Sequence, residues 1–136
     1  RMALYTGLIE KIKPTDDELA QVLAHEIAHA LAKHTAEKMS VALATSLGVL
    51  AVGVATDNRN IATGASAAAL VAITLPNSRT AESEADEIGI QLAARAGYDP
   101  AAAVTLWEKM SKESGGSSFD FLSTHPSSGK RLARLQ

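Results

Sequence analysis

The chain has 136 residues, of which 46% are hydrophobic and only 4% aromatic, and its formal net charge is −2 at pH 7. This length predicts one domain with a single core, and an apolar fraction dominated by Ala, Leu, Val and Ile favours closely packed helices. The small net charge, without any basic block, argues against nucleic acid as a partner. Because the chain has no cysteine, a disulfide framework and a cysteine-ligated metal site are both excluded.

The first segment, Met2–Ile9, is short, apolar and β-prone, and it therefore predicts a strand. The charged region followed by an apolar run that marks a signal peptide is not found there. Since the chain opens directly in this predicted strand, we expect an N-terminally incomplete fragment. The edge of such a strand could pair with an extended polypeptide substrate.

A long helix is predicted after the strand. Thr15 can cap its free N–H groups, and Glu18, three residues later, completes a capping box. No proline or glycine interrupts the chain before Gly48. We therefore expect this helix to run from about Asp16 to at least Met39.

Two apolar stretches, 41–55 and 61–75, flank a polar segment at 57–60. A membrane-spanning helix needs roughly 20 apolar residues, and each stretch is shorter than that. The pattern therefore favours an apolar helical hairpin over 41–75, lying over the site or touching a membrane surface, above a transmembrane hairpin.

The second half of the chain predicts two further helices. One runs from about Arg79 to Ala96 and ends at Gly97, which suits a left-handed C-terminal cap. The other starts at Asp99-Pro100 and continues to about Lys112. The expected fold class is α+β and mostly helical, with two crossing helices and a small strand edge.

The segment His25-Glu26-Ile27-Ala28-His29 has the HExxH pattern. Residues four apart lie on one face of a helix, so both imidazoles can bind one ion. Zinc accepts nitrogen and oxygen ligands and acidifies a bound water, which Glu26 is placed to activate. A chance match is disfavoured because the capping box predicts the required helix independently.

A catalytic zinc needs a third protein ligand. Metzincins would require glycine and histidine where this chain has Ala32 and Thr35, so that class is excluded. His34 is nine residues after His25, on roughly the opposite helix face. We expect it to be an exposed histidine without a role in the metal site.

The acidic segment after residue 79 offers the third ligand. Glu82 and Asp86 lie one turn apart on one helix face, whereas Glu84 points away from that face. Glu82 is the predicted ligand, and Asp86 is placed to accept the free ring N–H of a ligating histidine. Without the HExxH pattern, a solvated acidic helix face would be the preferred explanation of these residues.

Small residues continue the same face of this helix. Gly89 and Ala93 would allow it to approach the helix that carries the two histidines. The matching face of that helix is expected to present Ala32 and Ala36.

Four segments of the chain together resemble a known family of zinc metallopeptidases. HEIAH, SRTAESEAD, AGYDP and FLSTHPSSGKRL occur in this order, and they are similar to the gluzincin family of HtpX, BepA, LoiP and the CAAX prenyl protease. The resemblance extends from about Leu4 to Leu132, and the combination of motifs is much more specific than HExxH alone.

The resemblance implies a gluzincin-type catalytic core with one zinc ion per chain. It places the metal ligands at His25, His29 and Glu82, the general base at Glu26, and the supporting carboxylate at Asp86. These positions agree with those chosen from the residue pattern.

The resemblance also adds His125 and Arg131 to the candidate catalytic residues. It implies that both lie near the metal, where His125 either caps the zinc or, like Arg131, stabilises an oxyanion. From the residues alone, His125 is a loop histidine held extended by Pro126.

The expected function is that of a zinc-dependent endopeptidase that binds polypeptide in extended form. The resemblance is greatest to the soluble members of the bacterial cell envelope, which implies a periplasmic or membrane-associated location and a role in protein quality control. Two alternatives remain open: a zinc-binding chaperone or scaffold whose site is blocked by His125, and a membrane-surface module with a vestigial site. Nothing in the sequence indicates the oligomeric state.

Overall fold

The computed structural model of the chain describes residues 4, 6–56, 78–113, 125 and 131. The chain divides into two compact units, one formed by Arg1–His29 with Glu82–Gln136 and the other by Ala30–Ala81. All the candidate site residues belong to the first unit. The organisation as one catalytic domain stays a prediction.

The described residues are mostly helical, as the sequence predicts. Their elements are a short π-helical turn, Leu8–Ile12, followed by α1, Asp16–Leu31; α2, His34–Thr56; α3, helical across residues 78–95; and α4, Ala102–Glu113. No strand occurs within these described ranges.

The predicted strand at Met2–Ile9 is wrong for its second half, because residues 6–12 are helical. Leu8 and Ile12, one helical turn apart, are buried, whereas Ile9 is 47% exposed. The apolar residues of this segment thus follow a helical period rather than the alternation of a strand. Residues 6–9 therefore offer no edge for substrate pairing, and Met2, Ala3 and Tyr5 lie outside the described residues.

The main core of the first unit forms where α1, α4 and the π-helical turn meet. Aliphatic and aromatic side chains fill it, and Leu19 packs against them. The buried members of this cluster are Leu8, Ile12, Val22, Leu106, Trp107 and Met110.

The predicted capping box at the start of α1 is confirmed. The N–H of Thr15 donates to Glu18 Oε2 over 2.8 Å, and the N–H of Glu18 donates to Thr15 Oγ1 over 3.2 Å. The same buried carboxylate accepts hydrogen bonds from Thr105 Oγ1 at 2.8 Å and Lys109 Nζ at 2.6 Å. Burial opposes ionisation, but these hydrogen bonds hold the pKa of Glu18 below its ordinary value. One residue thereby caps α1 and fastens it to α4.

The long first helix predicted to reach Met39 is divided in two. Helix α1 ends at Leu31, and Lys33 adopts a left-handed conformation with φ of 57°. Its N–H donates to the carbonyl of Ala30 over 3.2 Å, which closes the last turn. Neither glycine nor proline marks this break, so the local sequence pattern did not reveal it.

Helix α2 contains the first predicted apolar stretch, 41–55, and continues through Gly48. The second stretch, 61–75, and the polar segment at 57–60 lie outside the described residues. The helical state of the first stretch is therefore confirmed, and the hairpin itself stays a prediction.

Helix α3 ends as its glycine predicts. Gly97 has φ of +92°, a left-handed conformation that favours glycine. The N–H of Tyr98 donates to Ala93 O over 3.0 Å and that of Gly97 to Ala94 O over 3.1 Å, which is a Schellman motif. Asp99 Oδ1 then accepts the N–H of Ala101 over 2.9 Å, ahead of α4.

Helices α1 and α3 are in backbone contact at Gly89. A Cβ atom added to this glycine would lie 3.0 Å from the Cα and N atoms of His25 and 3.2 Å from the carbonyl carbon of Ala24. The small-residue approach predicted at Gly89 is thus confirmed. The predicted partners, Ala32 and Ala36, are wrong, because α1 ends before both and the closest atoms belong to His25 and Ala24.

We expect Gly89→Ala to destabilise the fold. Its methyl group would meet backbone atoms, which cannot rotate away, and overpacking of this kind costs about 1–3 kcal/mol. Gly48→Ala is the matched control, since it is also in a helix but has no atom within 4 Å of the added Cβ; it should be neutral or stabilise by about 0.5–1 kcal/mol. Thermal unfolding followed by circular dichroism measures both, and equal stability of the two variants would contradict the close contact.

Candidate metal centre

Helix α1 presents its two histidines on one face, as the HExxH spacing predicts. His25 and His29 are 7% and 9% exposed. Their Nε2 atoms lie 3.1 Å apart. Two neutral imidazoles in this orientation direct lone pairs toward one point, an arrangement that a shared cation stabilises.

Helix α3 places the carboxylate of Glu82 beside both histidines. Its Oε2 atom lies 3.4 Å from Nε2 of His25, and its Oε1 atom lies 3.3 Å from Nε2 of His29. The side chain of Glu82 is completely buried, whereas Glu84, two residues on, is exposed. The predicted distinction between these two acidic residues is borne out in the placement of their side chains.

The three donor groups have the spacing of a tetrahedral zinc site. Ligand atoms at about 2.1 Å from a tetrahedral metal are separated from one another by about 3.4 Å, and the contacts among His25, His29 and Glu82 measure 3.1–3.4 Å. Glu82 Oε1 is also buried without a hydrogen bond, which is costly for a carboxylate oxygen unless a cation pairs with it. The residues therefore fit a zinc ion.

Asp86 supports the first histidine, as predicted from its position one turn after Glu82. Its Oδ1 atom lies 3.0 Å from Nδ1 of His25, so a proton on Nδ1 is held there and the lone pair of Nε2 faces the metal position. Desolvation lowers the pKa of His25, but hydrogen bonds to Asp86 and Glu82 outweigh it and raise the pKa overall.

Glu26 lies next to the donor set without belonging to it. Among the described residues, His25, His29, Glu82 and His125 form a group that could hold a metal ion, with their ligand atoms all within 4.8 Å of one another. The side chain of Glu26 is 25% exposed, and a hydrogen bond to His125 lowers its pKa despite partial burial. Glu26 is therefore ionised at neutral pH and able to accept a proton.

His125 lies inside the site, although it is 100 residues from His25 in sequence. Its Nε2 atom is 3.0 Å from Glu26 Oε1, and its Nδ1 atom is 3.0 Å from Glu82 Oε2 and 3.4 Å from His25 Nε2. Burial lowers the pKa of His125, but hydrogen bonds to the two carboxylates prevail and raise it to about 9. A metal ligand must be a neutral imidazole, so coordination by His125 would release a proton.

Arg131 lies at the site. It was predicted to stabilise an oxyanion, but its guanidinium group is hydrogen-bonded to two carboxylates. Its Nε and Nη2 atoms donate to the two oxygens of Asp86, each over 2.7 Å, and Nη1 donates to Glu82 Oε2 over 3.2 Å. The side chain is only 4% exposed. These bonds favour a positioning role for Arg131, which holds the two carboxylates in place, and the oxyanion role stays an untested prediction.

Trp107 was not predicted to lie at this site, and the prediction for His34 is wrong. The guanidinium carbon of Arg131 lies 4.5 Å from the centroid of the Trp107 ring, a cation–π contact from α4. The one feature of the sequence that could have pointed to Trp107 is that it is the sole tryptophan of the chain. His34 was expected to be exposed, but its exposed fraction is only 2%. The prediction assumed that His25 and His34 share one helix, whereas the turn at Lys33 places them on two different helices.

The chain is similar to known metallopeptidases over its full length. The family model described as peptidase family M48 matches residues 1–136. Mitochondrial metalloendopeptidase OMA1 of Schizosaccharomyces pombe is 39% identical over 140 residues, which cover 100% of this chain and 40% of that protein. OMA1 of Arabidopsis thaliana is 41% identical over 137 residues, covering 99% of this chain and 27% of that protein.

A bacterial protein also matches. The β-barrel assembly-enhancing protease of Escherichia coli is 34% identical over 146 residues, covering 97% of this chain and 29% of that protein. The chain thus spans between 27% and 40% of the length of these three relatives. No solved structure matches the chain significantly.

Replacing Glu82 should remove the metal, whereas replacing Glu84 should not. Purified chain is expected to hold about one zinc ion, as three-ligand sites do. Glu82→Ala should weaken zinc binding by more than the 10- to 100-fold typical of losing an outer hydrogen-bond partner. Glu84→Ala, on the exposed face of α3, should stay within about twofold of the unmodified chain. Competition with a chromophoric chelator measures both affinities, and the reverse order would show that Glu82 is not a ligand.

Proposed function

Because the chain belongs to peptidase family M48, we propose that it is the catalytic domain of a zinc-dependent endopeptidase. The observation that carries this proposal is the convergence of His25, His29 and Glu82 at 3.1–3.4 Å, with the carboxylate of Glu26 3.0 Å from His125 of the same group. This arrangement combines a three-ligand metal site with a base that is not a ligand, which is what metal-assisted peptide hydrolysis requires.

The proposed reaction assigns the proton transfers to Glu26. Zinc, when held by His25, His29 and Glu82, supplies a Lewis acid that polarises the scissile carbonyl and acidifies water. Glu26 accepts a proton from the attacking water and later donates it to the leaving amine. The side chain of Glu26 is 25% exposed, so solvent reaches it.

The proposed substrate is a polypeptide bound in extended form. Residues 6–9 cannot provide the predicted strand edge, so substrate pairing with that segment is no longer part of the proposal. A role in protein quality control remains a proposal. Since matching relatives include mitochondrial proteins, the periplasm is not supported as the location, and we propose a membrane-associated one.

A regulated or blocked site is the second candidate function, because one observation favours it. His125 contacts Glu26, Glu82 and His25 simultaneously, and in this position it limits access to the general base. A zinc-binding chaperone or scaffold would use the same fold with this contact permanently in place. The close approach of His25, His29 and Glu82 argues against the vestigial-site alternative.

Glu26→Gln should retain zinc and lose peptide hydrolysis. Glutamine has nearly the same shape but cannot accept the proton, and loss of general-base catalysis typically costs about 10²–10⁴-fold in rate. Zinc content and cleavage of unfolded casein should be measured on the same preparations of both proteins. Equal cleavage by the two proteins would refute the role of Glu26, and absence of cleavage by both would favour the blocked-site candidate.

His125→Ala distinguishes a histidine that blocks the site from one that stabilises the transition state. If His125 blocks access, the variant should cleave casein at least as fast as the unmodified chain and bind zinc slightly more weakly. If it stabilises the oxyanion, cleavage should fall by about 10²–10³-fold while zinc content stays unchanged. Unchanged cleavage and zinc affinity would show that the contacts of His125 with Glu26 and Glu82 have no functional role.

A further inference from the structure

Trp107 lies outside the metal-binding set, and the proposed reaction does not use it. Its side chain is 7% exposed on α4, and the guanidinium carbon of Arg131 lies 4.5 Å from the ring centroid. The guanidinium donates to Asp86 through Nε and Nη2, each over 2.7 Å, and Asp86 Oδ1 lies 3.0 Å from Nδ1 of His25. A continuous set of contacts therefore joins an aromatic residue of the core to a predicted metal ligand.

The position of the Trp107 ring is fixed by the attachment of α4 to α1. Thr105 and Lys109, two residues before and two residues after Trp107, both donate to the buried carboxylate of Glu18 on α1, over 2.8 and 2.6 Å. Because α1 also carries His25, the ring and the histidine belong to two helices that are joined directly. The ring is thus a fixed surface against which another group can be held.

Close packing is incomplete around Asp86. A cavity of about 30 Å³ borders Asp86, His25 and Trp107, and its other walls are mostly apolar. Protein interiors are otherwise close-packed, so fewer protein atoms confine the carboxylate from this side. The orientation of Asp86 therefore depends on directional contacts, chiefly the two hydrogen bonds that it accepts from Arg131.

The charge of Arg131 does not by itself favour a metal ion. Its Nη1 atom lies 3.2 Å from Glu82 Oε2, and a positive charge there repels a cation bound to the same carboxylate. What Arg131 contributes to the metal site is therefore orientation, since it keeps Asp86 where that residue can hold the Nδ1 proton of His25. The guanidinium is 4% exposed, and a desolvated cation is attracted to the face of an indole ring more strongly than an exposed one.

We propose that Trp107 is a positioning residue for the metal centre: its ring holds the guanidinium of Arg131 against Asp86 and thereby orients His25 toward the metal. This inference rests on the proposed zinc site of His25, His29 and Glu82. It predicts that the electron density of the ring, and not only its bulk, sets the affinity of the site for zinc.

The electron density of the ring can be changed at this position alone, because Trp107 is the sole tryptophan of the chain. Biosynthetic replacement by monofluorinated and difluorinated tryptophan withdraws electrons from the ring face, adds little volume and makes the ring slightly more apolar. Zinc affinity of the full chain, measured by competition with a chromophoric chelator, should fall with each fluorine and by at least about twofold in all, because the cation–π attraction weakens. A ring that acted only by packing would leave the affinity unchanged.

Side-chain replacement provides a second test. Trp107→Leu removes the ring and should weaken zinc binding by about tenfold, the lower end of the range for losing an outer partner of a ligand. Trp107→Phe keeps a ring face and should stay within about threefold of the unmodified chain.

Leu8→Ala is the matched control for a weakened core. Leu8 belongs to the same buried cluster as Trp107 but does not border the cavity beside Asp86. The variant should lower the thermal unfolding midpoint at least as much as Trp107→Leu does, since it leaves a cavity in the core. Below both midpoints its zinc affinity should change less than about twofold, because the contacts around His25 are retained.

A double-mutant cycle tests whether Trp107 acts through Arg131. In an Arg131→Gln background, Trp107→Leu should change zinc affinity by less than about twofold, since the group that the ring holds is absent. An equal loss of affinity in both backgrounds would overturn the proposal, because the ring would then act independently of Arg131.

The fluorinated chains keep the indole ring and therefore decide the matter even if Trp107→Leu does not fold. Unchanged or increased zinc affinity in both fluorinated chains would overturn the positioning role of Trp107 while leaving the proposed zinc site intact. A chain that binds no zinc in any form would overturn the zinc site as well, and the proposed function with it. None of these measurements depends on peptide hydrolysis.

Discussion

The contact of Gly89 with the backbone of His25 is the constraint on which the metal site depends. It lets α3 approach α1 more closely than any side chain at position 89 would allow. Glu82 precedes Gly89 by seven residues, about two helical turns, and therefore lies on the same face of α3. This contact and the helical period place the Glu82 carboxylate beside the two histidines, and Arg131 helps to hold it there.

The contact between α1 and α3 also brings two negatively charged carboxylates into a buried position. Two buried carboxylates, Glu82 and Asp86, would be strongly destabilising if they were unpaired. Burial opposes their ionisation. Hydrogen bonds to the neighbouring histidines, and for Asp86 also to Arg131, nevertheless hold the pKa values of both carboxyl groups below their ordinary range. Arg131 supplies one permanent positive charge, and its stacking on Trp107 connects the charged site to the apolar core. The positive charge thus stabilises the fold and keeps the two carboxylates oriented.

The two compact units differ in how they treat charged and apolar side chains. In the described part of the first unit, the buried charged residues are paired with neighbouring side chains: Glu18 with Lys109, Glu82 with His125, and Asp86 with Arg131. Helix α2, in the second unit, has no charged residue beyond its first turns. Its large exposed residues are Met39, Leu43, Leu47, Leu50 and Val54. Along the chain, only the turn Ala32–Lys33 separates α1 from α2, so the helix that carries His25 and His29 is followed directly by the apolar helix.

The features that the sequence alone determined are those set by neighbouring residues. The capping box of Thr15 and Glu18, the shared face of His25 and His29, and the left-handed cap at Gly97 all depend on atoms within one or two helical turns. Spacing along α3 likewise separated Glu82 from Glu84 correctly, because a helix period assigns faces without knowledge of the partner.

Tertiary structure decided the features that depend on distant contacts. The helical state of residues 6–12 follows from packing of Leu8 and Ile12 against α4, which outweighs the β-propensity of the segment. The break at Lys33 has no local signal. His125 and Arg131 lie 43 and 45 residues from their carboxylate partners on α3; family resemblance placed both near the metal, but only the folded chain shows which oxygens they contact. Contacts between residues so far apart produce no periodic pattern in the sequence, because they form only when the helices pack together.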